Sequence, residues 1–447
     1  MVQSSEDEFG FGEESDPLQI PEPTTSVGKS QGLAPCVPML QLLCVVGSLW
    51  FGGLLVYWLL SNHPGPSILV LVSLDGFRHD YLHHLSGNSS LLEIAQTGVH
   101  IERLKPCFPS LTFPNHYSIA TGTYPETHGI IGNYFFDHHD KSWFSPKNST
   151  QTKWWGAEPV WVTAEKQGRR TFVTSWPGSA AEIQNTRPSK YFDYDPAATI
   201  MERIDVASGW IRSEKPPSLI MVYIDEPDRS GHRFGPDSPQ TVEAIHQVDS
   251  AIGTLMNAFP ADNSNIDIMV VSDHGMTLVG EEGTVIDLDP FLNFSDPTVL
   301  RAICSPVFEF FPDPDLLPSL VEQLRLAQSA NPKMVVYTKD EIPSRFHYSN
   351  NNRIAPVIAI ASLGYVFSSK KLGCEFRGQP FGDHGYDNDE PQMSGFMVAL
   401  GPSFKRGVHI PLSINTEIYD IVCHVLGVTP APNNGTNLFT RILSKFT

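Results

Sequence analysis

Basic side chains are scarce. The 447 residues hold 30 Lys and Arg against 49 Asp and Glu, a formal net charge of -19, which excludes a protein that grips duplex nucleic acid by neutralising phosphates along a basic face. Charge of either sign is sparse at 18%, while 41% of the residues are hydrophobic and 26 are Phe. The chain as a whole is therefore not disordered and can bury a large core. The 37 Pro and 34 Gly carry no collagen period; spread along the chain, they mark many loops and argue against an all-helical bundle. There is no internal repeat and no long linker, which leaves one or two domains at this length.

A second absence lies near the N-terminus. No Lys or Arg occurs between Lys29 and Arg78, and residues 39–60 carry no charge at all. At the helical rise those 22 residues suffice to cross a bilayer core of ~30 Å. The run exceeds the ~7 to 15 apolar residues of a cleaved signal peptide and lacks both a basic leader and a small-x-small cleavage site, so it reads as a transmembrane signal anchor. Residues 1–38 hold seven acids and one base among Ser, Gly and Pro, the composition of a disordered tail. Lys29 before the span favours a cytosolic N-terminus. Sequons at Asn88, Asn148, Asn293 and Asn434 all follow the span, as expected of a type II protein whose C-terminal part is extracellular or in a secretory-pathway or vacuolar lumen. The tail has no Asn, so its lack of sequons carries no weight. A short stalk, 61–66, leads into one folded unit over 67–440. Four Cys in that outer part, Cys107, Cys304, Cys374 and Cys423, allow three pairings.

Three apolar runs share a pattern. Residues 67–74 end at Asp75, 218–224 lead into Asp225 and Asp228, and 266–272 end at Asp273. Unbroken apolar runs are what strands buried on both faces look like, and open α/β sheets gather ligands at the carboxyl ends of such strands. Val242, Ile245, Val248, Ile252 and Leu255 recur at helical spacing, so a crossover helix over 241–259 joins the last two runs. The expected class is α/β, with carboxylates from separate strands meeting on one sheet edge.

Imidazoles accompany those carboxylates. Asp228 and His232 are four positions apart, Asp273 and His274 are adjacent, and His384 stands in Gly382-Asp383-His384-Gly385-Tyr386-Asp387. Mixed carboxylate and imidazole donors suit zinc. Any one pair alone is weak evidence, since a lone Asp-x-x-x-His is more often a surface ion pair. In Phe108-Pro-Ser-Leu-Thr112-Phe-Pro-Asn-His116, Pro114 is an early helix residue. Thr112 then sits at a helix N-terminus, either as an ordinary N-cap or where amide donors favour phosphate or an alkoxide.

These segments together resemble the catalytic domain of the ecto-nucleotide pyrophosphatase/phosphodiesterase family, in the alkaline phosphatase superfamily. The matching stretches include Val72-Ser-Leu-Asp75-Gly-Phe-Arg, Thr112-Phe-Pro-Asn-His-Tyr-Ser, Tyr124-Pro-Glu-Thr-His-Gly-Ile-Ile-Gly-Asn133, Glu226-Pro-Asp228-Arg-Ser-Gly-His232, Ser272-Asp-His-Gly and His384-Gly-Tyr-Asp-Asn388, in family order. The resemblance implies an alkaline phosphatase-like three-layer sandwich around a central, mostly parallel sheet. It implies two zinc ions, one held by Asp228, His232 and His384, the other by Asp75, Asp273, His274 and the Thr112 oxygen. Thr112 would attack phosphorus, and a zinc-activated water would hydrolyse the phosphothreonyl intermediate. Asn133 would bind a phosphate oxygen, with a turn residue as its plainer role. Phe113 and Tyr194 would stack the base of a nucleotide diester or pyrophosphate, cleaved to a nucleoside 5'-monophosphate. Tyr194 is aligned only by its distance before Arg203, and core packing is its alternative.

Other readings differ in substrate or class. Lysophospholipid or choline phosphodiesters are substrates of other family branches, and an inactive adhesion or receptor ectodomain would not need the full ligand set. Cys107-Phe-Pro-Ser-Leu111 nearly spells the sulfatase signature, but Leu111 stands where that signature ends in Arg, and the nucleophile aligns with Thr112. Leu111 and Tyr134 occupy positions where some relatives carry bases, which implies a weaker grip on distal phosphates. Asp225, Asp383 and Asp387 read as carboxylates behind the ligands, and His116 and His128 as locally bonded. No somatomedin-like or nuclease-like module is visible, so docking through such modules is not expected.

Overall fold

The computed structural model describes residues 68–260, 265–293, 300–376 and 378–444. The expected tail (1–38), membrane span (39–60) and stalk (61–66), and residue 67, lie outside the described residues. Among the described residues no helix is long and apolar enough to cross a membrane.

Eight strands form the central sheet: β1 (Ile68–Leu74), β2 (Val99–Lys105), β3 (Thr171–Thr174), β4 (Lys190–Phe192), β5 (Leu219–Ile224), β6 (Ile266–Val271), β11 (Gly395–Leu400) and β12 (Val408–Ile414). Their order is β12-β2-β11-β6-β1-β5-β3-β4, and only β11 runs antiparallel to its neighbours. The three apolar runs are its centre. Every residue of β1, β5 and β6 is buried because helices cover both faces. Leu69 and Leu71 pack with α2 (Thr112–Thr121), α3 (Val160–Lys166) and α7 (Glu417–Leu426). Val70 and Val72 pack with α1 (Ser90–Thr97), α4 (Ile200–Ile211) and α6 (Pro239–Met256). This is the expected three-layer arrangement.

The register fixes where the carboxylates emerge. Leu74 pairs with Ile224 and Ser73 with Val271, so β1, β5 and β6 end level, and Asp75, Asp228 and Asp273 leave the sheet on one edge. α6 is the expected crossover: Ser238 caps it by accepting from the Thr241 amide at 3.2 Å, Pro239 opens it, and Ile245, Val248, Ile252 and Leu255 are buried. Val242 is half-buried and His246 is exposed.

A second, antiparallel sheet is built from β7 (Leu300–Ile303), β8 (Val307–Pro312), β9 (Met334–Thr338) and β10 (Val357–Ala361), in the order β7-β8-β10-β9. It has its own core around Phe308, Phe310, Leu324 and Val336. None of the three two-bridge pairings is formed: Cys304 and Cys374 make a disulfide, while Cys107 and Cys423 are buried free thiols.

β8 carries a buried carboxyl, Glu309, which burial pushes up to about 8 even though the Tyr348 hydroxyl, 2.7 Å away, pulls it down. The native state keeps this proton through a pH range where the unfolded chain has lost it. Stability attributable to this group is therefore full below the ordinary glutamate range and falls as pH rises towards about 8. Glu309→Gln is expected to remove that loss, so its Tm advantage over wild type grows across this window; parallel Tm curves from pH 5 to 9 would contradict the assignment.

Candidate active site

Thr112 is the first residue of α2. The N-cap is Leu111, in extended conformation and with no side-chain cap bond, so the Thr112 hydroxyl is not capping its own helix. It lies instead 3.3 Å from His274 Nε2. One turn on, at position i+4, His116 Nδ1 is 2.9 Å from the Thr112 carbonyl and 3.2 Å from Asp273 Oδ2, while its Nε2 is 2.8 Å from Ser73 Oγ. His116 thus holds a site carboxylate as well as its own helix, a role that sequence reasoning missed. The helical spacing from Thr112 was the available signal.

The remaining acids and imidazoles converge from separate elements. α5 (Asp228–Phe234) starts just after β5 and sets Asp228 and His232 one helical turn apart, with His232 Nε2 3.5 Å from Asp228 Oδ1. Phe381–Asp383 pairs with Thr277–Val279, and this ribbon delivers His384. Its Nε2 is 3.0 Å from His232 Nε2 and 3.5 Å from Asp228 Oδ1. His274 Nε2 lies 3.3 Å from Asp75 Oδ1 and 3.1 Å from Asp273 Oδ2. Asp228, His232 and His384 form one potential metal-holding group; Asp75, Asp228 and His274 form another. Asp228 therefore stands between the two clusters, and all six acid and imidazole residues predicted from sequence, with Thr112, come together.

The protonation pattern suits a cation. His232, His274 and His384 each point Nδ1 at a backbone carbonyl, of Gly382 at 2.7 Å, Gly275 at 2.9 Å and Ser110 at 2.8 Å. A carbonyl only accepts, so each Nδ1 carries a proton and each Nε2 is turned towards the cluster. Burial, together with the charges of His274 and His232, holds His384 well below the usual imidazole range, so it is neutral. Asp75 Oδ1 and Asp228 Oδ1 are buried without a hydrogen-bond partner. Burial and the charges of Asp273 and Asp228 push the Asp75 carboxyl well up. At Asp273 burial also pushes upward, but His274 and His116 outweigh it and hold that carboxyl below its usual range. Lone pairs and acids crowded in this way fit a bound dication, which replaces their mutual repulsion with attraction. Tyr223 donates to Asp75 Oδ2 at 2.6 Å and is a second supporting residue that sequence reasoning missed.

Around this cluster, Asn133 Oδ1 accepts from the Phe113 amide at 2.8 Å, which leaves its NH2 as the group it can offer a phosphate oxygen. Asn133, Leu111, Tyr134 and His384 line one cleft, with no Lys or Arg among its described lining residues. Phe113 is half-buried against Phe144 at 5.5 Å and Trp155 at 6.4 Å. Tyr194 is 46% exposed, so core packing does not explain it. Its hydroxyl donates to Asp225 Oδ2 at 2.8 Å and the Arg203 guanidinium lies 5.0 Å from its ring centroid. Asp225 serves Tyr194, Arg203 and Arg229 rather than a histidine. Asp387 is likewise paired with Arg345, whereas Asp383 accepts from the His384 amide at 2.9 Å.

Strand ends that bring acids, imidazoles and a threonine hydroxyl to one point suit a hydrolase of phosphate esters, and the known proteins similar to this chain fall in that class. The chain belongs to the type I phosphodiesterase / nucleotide pyrophosphatase family, whose model matches residues 69–387. It is an enzyme, a nucleotide pyrophosphatase/phosphodiesterase. The bis(5'-adenosyl)-triphosphatase ENPP4 of Bos taurus is 37% identical over 392 residues, 86% of this chain and 83% of that protein. An uncharacterized pyrophosphatase/phosphodiesterase of Schizosaccharomyces pombe is 39% identical over 386 residues, 83% of this chain and 79% of its own length. Murine ENPP5, solved as an inactive threonine-to-alanine variant in complex with AMP, matches with a TM-score of 0.77 at 32% identity, over 85% of this chain and 100% of that one.

Proposed function

We propose that this enzyme cleaves nucleotide diesters and pyrophosphates to nucleoside 5'-monophosphates, with Thr112 as nucleophile and two zinc ions as cofactors. The observation that carries the reading is the Thr112 hydroxyl, not used as a cap and 3.3 Å from His274 Nε2 in the acid and imidazole cluster. Asp228, His232 and His384 would hold one zinc; Asp75, Asp273, His274 and the Thr112 oxygen would hold the other. When bound, such ions neutralise phosphate charge and make hydroxyl and water oxygens nucleophilic at neutral pH. Thr112 Oγ1 attacks phosphorus and the leaving oxygen departs on the opposite side. Water then cleaves the phosphothreonyl diester and restores the hydroxyl. Asn133 steadies one phosphate oxygen through its NH2. His116 and Tyr223 keep Asp273 and Asp75 in position.

Phe113 and Tyr194 would hold the base between them. The AMP complex of murine ENPP5 supports a nucleotide ligand, and the tether of Tyr194 to Asp225 supports a ring kept at the surface for a ligand. Residues 39–60 would anchor the chain, with residues 67–440 outside the cytosol. Exposure of the Asn88, Asn293 and Asn434 side chains is in keeping with sequons on that side.

A hydrolysis panel tests substrate class. Each stack contributes roughly 1 to 3 kcal/mol, so Phe113→Ala and Tyr194→Ala are expected to lower kcat/KM on nucleotide diesters far more than on a small aryl phosphodiester. An aromatic cage for choline predicts selective damage to phosphocholine substrates instead. Losses in Phe113→Ala that are equal on nucleotide and phosphocholine-bearing diesters such as glycerophosphocholine, or greater on the latter, would overturn the nucleotide assignment and leave the phosphodiesterase chemistry standing.

A further inference from the structure

The loop that ends at Asn133 is held along its length by residues 348–353, which lie between β9 and β10 and are 217 to 225 positions away in sequence. Glu126 Oε2 accepts from the Ser349 and Asn350 amides at 2.8 and 2.9 Å, and the Glu126 carbonyl accepts from Asn351 Nδ2 at 2.9 Å. The Gly129 carbonyl accepts from Arg353 Nη1 at 2.7 Å, and the Ile131 carbonyl from the Tyr348 hydroxyl at 2.9 Å. These contacts step along the loop and stop two residues short of Asn133. The approach is close. Gly129 has φ 79°, and a Cβ there would stand 2.8 Å from Arg353 Nη1, so the position requires glycine.

Two of these side chains are fixed by more than the loop they hold. Tyr348 is buried, with its ring edge-on to Phe108 at 5.2 Å. Its hydroxyl has one hydrogen and two neighbours, the Ile131 carbonyl and Glu309 Oε1 at 2.7 Å. Burial keeps Glu309 protonated at neutral pH, so the carboxyl can give its own hydrogen to the second contact and leave the tyrosine's for the carbonyl. Arg353 serves the Trp154 carbonyl at 2.8 Å with the same Nη1, and its Nε meets Asp137 Oδ2 at 2.8 Å, which sets the plane of the guanidinium. At the other end of the loop Asn133 Oδ1 is tied to the Phe113 amide, so the loop bridges the start of α2 and the 348–353 segment. An amide that is to meet a phosphate oxygen must be placed within about 0.5 Å. The rival holder is α2 alone, through His128 Nε2 and Ser118 Oγ at 3.0 Å.

We propose that the 348–353 segment sets the place of the phosphate-binding amide, with Tyr348 and Arg353 as positioning residues that act through Asn133. The proposal rests on the reading of Asn133 given above. The test uses the full chain and the two P-chiral phosphorothioate isomers of a nucleotide diester. Sulfur accepts a hydrogen bond weakly, so the isomer that turns sulfur towards Asn133 forgoes that contact, and the ratio of kcat/KM between the isomers contains it. Asn133→Ala should change this ratio about fivefold, the scale of one hydrogen bond. Tyr348→Phe and Arg353→Lys should each move it about twofold or more in the same direction, and neither should move it further in the Asn133→Ala background. A merely structural role lowers Tm or slows both isomers equally and leaves the ratio in place. An unchanged ratio in both variants, or a shift that persists undiminished without Asn133, would overturn the proposal. If Tyr348→Phe does not fold, Arg353→Lys decides by itself. A ratio unmoved in Asn133→Ala sinks the reading of Asn133 and the positioning role together, whereas a ratio moved there and in neither of the other two variants sinks the positioning role alone.

Discussion

Thr112→Ala is expected to fold, to keep its metal and to lose about a thousandfold or more in turnover, the scale seen when a nucleophile is removed from a site whose other parts persist. Folding should survive because the side chain is half-buried and caps nothing, and Ala is a favourable residue in a helix. The contact that helps seat His116 uses the Thr112 carbonyl, 2.9 Å from Nδ1, and a side-chain truncation leaves it in place. The only group removed near the cluster is the hydroxyl 3.3 Å from His274 Nε2. Water reaching the same phosphorus lacks the fixed position that α2 gives Thr112 Oγ1, and positioning accounts for a large part of such rates. Thr112→Ser restores an oxygen at that place and should recover a substantial part of the lost rate. Single-turnover and steady-state rates on a nucleotide diester, with Tm and metal content alongside, check this. Near-normal turnover in Thr112→Ala would remove the covalent mechanism, whatever the substrate.

What could be read in the sequence was local or repeated. The runs before Asp75, Asp225 and Asp273 announced themselves because a strand buried on both faces has no polar position to interrupt it, and level strand ends follow from parallel pairing. α6 was legible from its apolar spacing, though it runs Pro239–Met256 rather than over the expected 241–259 because Ser238 caps it two residues earlier. Long-range partners were not legible. Tyr223 looked like one more residue of an apolar run, and only the fold shows its hydroxyl reaching Asp75, 148 positions away. The choice of Cys304 and Cys374 spans 70 residues, and the strands of the antiparallel sheet, β7 to β10, are short, so their pairing depends on contacts with one another. Tyr194 was ambiguous because an aromatic in a core and one kept at the surface by Asp225 and Arg203 have the same local sequence. His116 was undervalued for a related reason: its bond to the Thr112 carbonyl is local, but its contact with Asp273 crosses the sheet edge.

The second large effect concerns metal. His384→Ala and Asp273→Ala are each expected to lower bound zinc from two per chain towards one, at different sites, and both should lose most activity. Their donors belong to different clusters: His384 Nε2 sits with His232 and Asp228, whereas Asp273 Oδ2 sits 3.1 Å from His274 Nε2. Each substitution removes a strong imidazole or carboxylate donor, a larger loss to its ion than the neutral Thr112 hydroxyl. A chelator should abolish activity, and added zinc should restore it. Chelation should also lower Tm, because the metal-free site returns three carboxylates to close quarters; burial and the charges of Asp273 and Asp228 then make Asp75 take up a proton. That proton must leave again before the oxygen can act as a ligand, so zinc affinity is expected to weaken as pH falls. Metal content by elemental analysis, measured across pH in wild type and in both variants, separates the two clusters. Full activity in excess chelator, or unchanged zinc in both variants, would sink the two-zinc assignment and leave the crowding of Asp75, Asp228 and Asp273 without a counter-charge.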